Sequence, residues 1–378
     1  MSGPRDGRYA RRVTHDAVVG GGAIVRPVSI RDVAKRAGVS PGTASKALNN
    51  LPGISQSTRE RVLKASEDLD YRPNDLVKSI FTGRSYTVGL LTSDSFGRFS
   101  GPIMSGAEDA LGKGQLLVIM CDSRGDPLRE TEYIDMLIGR RVDGLIVTGR
   151  CSNTRPPVAS RTPFPVVYAH TPSSRPEDLS IMVDDRGAGC LAARHLIDTG
   201  RKRIAHITGP LDFDAVRFRA AGFTETLREH GLRPIAEPLA GYWCEAWGRD
   251  AAQRLLSQHP DVDAIYCGSD LLARGVTDAL RAAGRNLPDD IALVGTDNWR
   301  LIAEATRPAL TTVDLNLNAV GRRSAQALVD AIDGHTSTGP EIVPATLVVR
   351  ASTGVPYEQP GIPKAGHYHE SCIHGKSQ

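Results

Sequence analysis

RIAHITG, Arg203 to Gly209, leads through a short Pro- and Asp-containing stretch into RFRAAGFTETLREHG, Arg217 to Gly231. The first piece is a short apolar run with β-branched residues, bounded by a basic cluster and a Gly-Pro turn, as a buried strand would be. The second has the length and spacing of a helix. The same alternation surrounds it. Strand-like runs recur as TVGLLT (87–92), QLLVIMCD (115–122), DGLIVT (143–148), FPVVYAH (164–170), DAIYCGSD (263–270) and IALVGTD (291–297). Helical patterns separate most of them: SGAEDALGKG (105–114), RETEYIDMLIGRR (129–141), GCLAARHLIDTG (189–200) and RDAAQRLLSQHP (249–260). Strand and helix in turn imply a parallel sheet covered by helices on both faces. Residues 86–353 are too many for one sheet, so two doubly wound lobes are expected, with ligands in the crevice at the carboxyl ends of the strands.

Outside that body the character of the chain changes. Residues 1–85 carry 15 Lys/Arg against 8 Asp/Glu, and the remainder carries 31 against 35, so a net charge of +3 conceals a basic N-terminal module on a mildly acidic body. Such asymmetry points to a polyanion partner for the first part only. No run approaches the roughly 18 apolar residues of a membrane span. The N-terminus lacks the apolar core and cleavage site of an export signal. Six cysteines, Cys121, Cys151, Cys190, Cys244, Cys267 and Cys372, have neither paired nor metal-ligand spacing and read as reduced thiols in a cytoplasmic protein. The ends, 1–27 and 354–378, read as loose tails; HYHESCIH (367–374) in the second is not taken as a metal site, and no cofactor is expected.

Between the basic tail and the body lies SIRDVAKRAGVSPGTASKALNN, Ser29 to Asn50. Ile30, Val33, Ala34 and Ala37 share one helix face. Gly38 ends that helix, Ser40 stands as an N-cap, and Pro41 opens a second helix running to about Leu48. A third, from about Ser57 to Leu69, supplies Val62, Leu63 and Leu69 to a small core. Two short helices across a tight Gly turn make a helix-turn-helix.

These segments together resemble the lac-repressor family of bacterial transcription regulators. The likeness runs from SIRDVAKRAGVSPGTASKALNN and GISQSTRERVLKASEDLDYRPN through VDGLIVT, VDDRGAG, HLIDTGRKRIAHITGP, RFRAAGF, SDLLARG, LPDDIALVGTDN, PALTTVDLN and ATLVVRAST, in the family's order over residues 28–353. It implies an α/β chain in which a small all-α helix-turn-helix headpiece precedes a two-lobed, type I periplasmic-binding-like core. The expected boundaries are a basic tail (1–27), the headpiece (28–73), a hinge helix or linker (74–85) and a core (86–353). The lobes would comprise about 86–183 with 316–343, and 184–315 with 344–353, before the tail at 354–378.

The resemblance assigns roles residue by residue. Ser29, Ser40, Thr43, Ser45, Asn49, Ser55 and Thr58 would supply hydroxyl or amide contacts to phosphates of double-stranded operator DNA. Pro41, Gly42 and Lys46 occupy base-reading positions. Pro and Gly offer no side-chain donor, so direct readout rests on Lys46, and DNA shape and the linker must carry more of the selectivity. In the linker, Ile80 stands where the family wedges an apolar side chain into the minor groove, with Val77 and Asn74 beside it and Phe81 as hinge packing. The crevice would hold a small effector. Trp243 stands at the stacking position, Arg219 can fork onto hydroxyls or a carboxylate, and Asp297 can accept from sugar hydroxyls as an ionised carboxylate. His170 binds ligand or caps its strand. Phe99 keeps one of an aromatic pair whose second member is Ser100, which favours a sugar over a purine. Asp184 and Ser269 form polar walls, while Asp270 caps the helix LLARGVTDAL.

Rival classes fare less well. There is no P-loop, no GxGxxG after the first strand, no HExxH and no GxSxG nucleophile elbow between a strand and a helix, so no catalytic residues are assigned and an enzyme is not expected. A plain solute receptor would have no use for the helix-turn-helix. The expectation is a cytoplasmic, nucleoid-associated homodimeric repressor of a palindromic operator, controlled by a small effector, most simply a sugar. A purine-responsive regulator, or a small-molecule-binding protein or enzyme with a degenerate headpiece, is the alternative. The tail after Thr353 has no leucine heptads, which favours a dimer over a tetramer.

Overall fold

The computed structural model describes residues 28–71, 83–112 and 116–354. Two compact units meet in sequence at Gly83 and Arg84. In the first, helices α1 (Ile30–Ala37), α2 (Pro41–Leu48) and α3 (Gln56–Asp68) enclose a core of Val33, Ala34, Ala44, Ala47, Val62 and Ala65. Each helix begins at a serine. Ser29 donates its amide and hydroxyl to the Asp32 carboxylate at 2.8 and 2.6 Å, Ser40 Oγ accepts from the Thr43 amide at 3.1 Å, and Ser55 Oγ accepts from the Thr58 amide at 3.3 Å. These satisfy amides that a helix start leaves without partners. Gly38, at φ 66°, closes α1 in the left-handed region that disfavours side chains. One expectation fails: Leu63 is 49% exposed. Val62, Ala65 and Leu69 fall on one helical face, and position 63 is rotated about 100° away from Val62, so Ala65 fills the place expected of leucine.

The second unit holds two six-stranded sheets. The first, in the order β11-β5-β4-β3-β1-β2, is built from β1 (Thr87–Thr92), β2 (Leu117–Asp122), β3 (Gly144–Thr148), β4 (Val166–Ala169), β5 (Ser180–Val183) and β11 (Pro340–Val343), all parallel. The second, β12-β10-β9-β8-β6-β7, uses β6 (Ile204–Thr208), β7 (Leu239–Ala240), β8 (Ala264–Cys267), β9 (Ala292–Thr296), β10 (Thr311–Asp314) and β12 (Thr346–Val348). Its edge strand β12 runs antiparallel to β10, a departure from the purely parallel sheets expected. The chain passes between sheets after β5, after β10 and after β11. β3, β6 and β9 are buried at every position, as strands covered on both faces must be. By contrast β2 is an edge strand, which leaves Leu117 and Met120 exposed.

The helices covering the first sheet include α4 (Ser100–Leu111), α5 (Pro127–Gly139) and α11 (Leu317–Ile332). Those covering the second include α6 (Asp185–Asp198), α7 (Asp214–Glu229), α8 (Glu245–Gln258) and α9 (Asp270–Ala282), with the short α10 (Arg300–Ala303) following β9. One continuous apolar core joins the two sheets through Ile103, Leu328, Ala188, Phe223 and Tyr266. The five described cysteines are free thiols. No helix among the described residues is long and apolar enough to cross a membrane.

The packing of α6 on α7 fixes where Arg219 stands. Gly189 and Gly222 face each other's backbones so closely that a Cβ on Gly222 would run into the Arg186 carbonyl, and one on Gly189 into that of Arg219. Gly222→Val is therefore expected to cost about 3 kcal/mol by forcing the helices apart. Urea unfolding checks this, and a loss below about 0.5 kcal/mol would mean that the pair repacks freely.

Candidate functional site

Two regions gather the residues singled out by sequence. On α2, Ala44 and Ala47 are sealed into the headpiece core, while Pro41, Gly42, Lys46 and Asn49 are exposed. Thr43 and Ser45 are half-buried on its flanks. Asn49 Nδ2 donates to the Ser45 carbonyl at 2.9 Å, and Arg59 on α3 donates to the Ala47 and Leu51 carbonyls at 3.0 Å each, locking the end of α2. The hydroxyls of Ser40 and Thr43 lie 2.9 Å apart, and those of Ser55 and Thr58 likewise, at the starts of α2 and α3. Gly38 to Gly42 spell GxSxG, yet they join two helices rather than a strand and a helix, and the Ser40 hydroxyl accepts from the Thr43 amide as a helix cap. Asn74, Val77 and Ile80, with Phe81, lie outside the described residues.

In the second unit the remaining candidates cluster after the carboxyl ends of strands. Arg219, almost fully buried on α7, donates through Nε to Asp185 Oδ1 at 2.8 Å and through Nη1 to the Gly268 carbonyl at 2.7 Å; Nη2 lies 2.7 Å from the same Asp185 oxygen. Burial works to lower its pKa, but the Asp185 and Asp297 carboxylates override this and hold it above the ordinary arginine value. Ser152, from the loop after β3, donates to Asp185 Oδ2 at 2.9 Å. The neighbouring Asn153 donates to the Asp212 carbonyl and accepts from the Asp214 amide, tying that loop of the first lobe to the start of α7 in the second.

Asp297 follows β9 at φ 105° and forms an ion pair with Arg98 from the loop after β1. Burial is the larger influence and leaves its carboxyl above the usual carboxylate range, although Arg98 and Arg219 oppose it. The Arg98 guanidinium lies over the Phe99 ring, 5.0 Å from its centroid, and over the Trp299 ring at 5.5 Å. Phe99 also stacks on His170 with centroids 4.9 Å apart. His170 is buried at φ 67°, neither ring nitrogen has a hydrogen-bond partner among the described residues, and burial lowers its pKa to about 4, so the ring is neutral near pH 7. Trp243 is half-buried, meets Phe213 edge-on at 5.9 Å, and rests on Gly209, where a Cβ would collide with the indole.

Two candidates are engaged locally, and a third farther along the chain. Asp184 accepts from the Gly187 amide at 2.7 Å as the cap of α6, and Ser269 accepts from the Leu272 amide at 3.3 Å as the cap of α9. Asp270, expected to cap that helix, does not: its buried carboxylate accepts from Thr312 Oγ1 at 2.6 Å and from the Trp299 amide at 2.7 Å, holding the segment after β9. Ser269, one residue earlier, has the extended backbone that a cap needs. Sequence reasoning missed Arg98, Asp185, Ser152 and Trp299. The loop SDSFGRFS contained Arg98 in plain view, but nothing local announces a carboxylate partner on the opposite lobe.

Behind Arg219, His206 on β6 stacks on Tyr266 at 4.7 Å, and burial drives its pKa from 6.5 to about 3. A histidine depressed in the folded state stabilises fully above its unfolded pKa, and that stability is lost as pH falls towards the folded value. His206→Phe is expected to reduce the loss of stability between pH 7.5 and pH 5 by about 2 kcal/mol. Urea titrations at the two pH values check this, and an unchanged loss would remove His206 from the acid response.

Against this geometry stand the likenesses to known proteins. Residues 29–74 match the model of bacterial regulatory proteins of the lacI family, and residues 193–353 match a periplasmic binding protein-like domain. The HTH-type transcriptional regulator CelR of Thermobifida fusca is 33% identical across 86% of this chain and 98% of its own. A lac repressor dimer bound to operator and an anti-inducer superposes with a TM-score of 0.71 over 87% of this chain and 99% of its own, at 26% identity. A CelR–cellobiose complex does so with a TM-score of 0.62 over 86% and 100%, at 31% identity. With a capped helix-turn-helix ahead of two doubly wound lobes, and this similarity along nearly the whole of its relatives, the chain belongs to the lacI family of bacterial transcriptional regulators.

Proposed function

We propose that this regulator is a repressor that binds a partly palindromic operator as a homodimer and is controlled by a small sugar held between its lobes. The observation that carries the DNA reading is the surface of α2, polar and exposed along Pro41, Gly42, Lys46 and Asn49 while its other face is sealed by Ala44 and Ala47. A helix so shaped fits a major groove. Lys46 reads base edges there, and Ser29, Ser40, Thr43, Ser45, Asn49, Ser55 and Thr58 fix register on phosphates. Asn74, Val77 and Ile80 act in the adjoining minor groove. Two-fold symmetry in the protein then requires two half-sites. The work is done in the cytoplasm, on the nucleoid, without catalysis, metal or cofactor.

For the effector, the half-buried Trp243 ring, and the Asp297 carboxylate with Arg98 and Phe99 near it, support a sugar ring and its hydroxyls. Arg219 serves this site by holding Asp185 and Gly268, with His170 as a neutral wall and Asp184 and Ser269 setting the helix starts around it. The likeness to the CelR–cellobiose complex supports the same class. Selection of bound duplexes from a random pool by the full-length protein tests the DNA reading. Enrichment of a two-fold-related site supports it; recovery of unrelated sequences at nonspecific affinity refutes it.

A further inference from the structure

We propose that Arg98 and Asp297, brought from opposite lobes, act as one donor–acceptor unit that reads neighbouring hydroxyls of an uncharged sugar, with Arg98 as the specificity-determining residue. This rests on the crevice being the effector site, and it adds a residue and a charge rule to that reading.

Arg98 is built into the site rather than resting on its surface. Its side chain is 16% exposed and that of Asp297 5%. The two rings over which the guanidinium lies, Phe99 and Trp299, come from different lobes, as do Arg98 and Asp297 themselves. Trp299 is in turn held by its amide on Asp270, so the second lobe presents both a ring and a carboxylate to this one cation. Arg98 Nε is buried and has no hydrogen-bond partner among the described residues. A fixed guanidinium with a buried, unused donor calls for an acceptor, and a carboxylate beside it can accept from a second group. Vicinal hydroxyls meet both demands at once: one oxygen accepts from Arg98 while its neighbour donates to Asp297.

The ion pairs already formed around the site disfavour an acid. Asp94 and Asp185 act through space on His170, Asp185 and Asp297 on Arg219, and Asp270 and Asp297 on Arg98, and the two guanidiniums are already matched to Asp297 and Asp185. A ligand carboxylate or phosphate that accepts from Arg98 would stand beside the Asp297 carboxylate that already occupies the same guanidinium. A like charge placed against a wrong ligand is costly and so contributes to its rejection.

Thermal melting of the full-length protein tests this, with Arg98→Met, Asp297→Asn and the double variant compared with wild type, alone and with cellobiose, glucose, gluconate or glucose 6-phosphate. Without added compound, each single variant is expected to melt roughly 2–4 °C lower, and the double variant no lower than the weaker single. Arg98→Lys, which keeps charge but loses the planar fork, should recover less than half of that loss. A neutral sugar should raise the melting temperature of wild type and leave Arg98→Met unmoved, and the two anions should raise neither. Additive losses in the double variant overturn the pair. Stabilisation of wild type by gluconate or glucose 6-phosphate overturns the charge rule, and equal stabilisation of wild type and Arg98→Met by a neutral sugar overturns the role of Arg98. If none of the four compounds stabilises wild type, the sugar reading of the crevice fails with it, while the melting cycle still decides the pair. Retained DNA binding by each variant marks it as folded.

Discussion

Arg219→Met is expected to destabilise the two-lobed core by about 3–5 kcal/mol, because it strands a buried charge. Asp185 is 4% exposed at its side chain, and two guanidinium nitrogens lie on its Oδ1, leaving only the Ser152 hydroxyl on its other oxygen once Arg219 is gone. An uncompensated buried carboxylate must remain charged at high cost or take up a proton. The Gly268 carbonyl loses its donor as well. Exposed pairs such as Arg36–Asp68 are worth less than about 1 kcal/mol, so the contrast is large enough to measure. Adding Asp185→Asn to Arg219→Met should return part of the loss, because the charge then disappears with its partner. Urea unfolding of the three proteins at pH 7 decides it. A loss below about 1 kcal/mol for Arg219→Met would show that water reaches Asp185. The outcome also bears on function: a variant that no longer responds to effector has lost the scaffold around Asp185, and the Arg219 side chain need not touch the ligand to explain it.

Lys46→Ala is expected to weaken binding to the selected operator by about 10- to 100-fold, equivalent to 1–3 kcal/mol. Lys46 is the one charged side chain on α2, and Pro41 and Gly42, exposed beside it, present no side-chain donor to a base edge. If it reads a base, the loss is confined to the cognate sequence, and discrimination at one position of each half-site relaxes. A phosphate contact would behave differently: cognate and random duplexes would lose affinity together, and the slope of affinity against salt would fall by about one. Fluorescence-anisotropy titrations on both duplexes at two salt concentrations separate these. Equal losses would transfer base reading from α2 to DNA shape and the hinge.

What the sequence disclosed follows the range of the forces involved. Ser40, Pro41 and Gly38 announce the headpiece helices because capping and backbone preference act within four residues, and α1 ends and α2 begins where they imply. The buried strands β3, β6 and β9 stand out because apolar runs between Gly, Asp and basic punctuation have no other use. Leu63 shows the limit of that logic: hydrophobicity marked it for the core, but one step of rotation on α3 gave the place to Ala65. Asp270 shows another. A carboxylate at a helix start reads as a cap, and only the approach of Thr312 and of the Trp299 amide reveals that it secures the segment carrying Asp297. The least legible features are the crevice pairs. Arg98 and Asp297 are 199 residues apart, and no local pattern encodes which arginine meets which aspartate. The antiparallel β12 escaped for a similar reason, since a three-residue strand carries too little pattern to register.

If a ligand between the lobes governs how the headpiece holds DNA, operator affinity must change when that ligand binds. The most direct measurement is the affinity of the full-length protein for its selected operator in the presence and absence of a neutral sugar that calorimetry shows to bind. A change of roughly 100-fold is expected, which requires about 2.7 kcal/mol of coupling between the two sites. A sugar that binds the protein tightly yet leaves operator affinity unchanged would contradict it, because a ligand with no preference between the two states shifts neither.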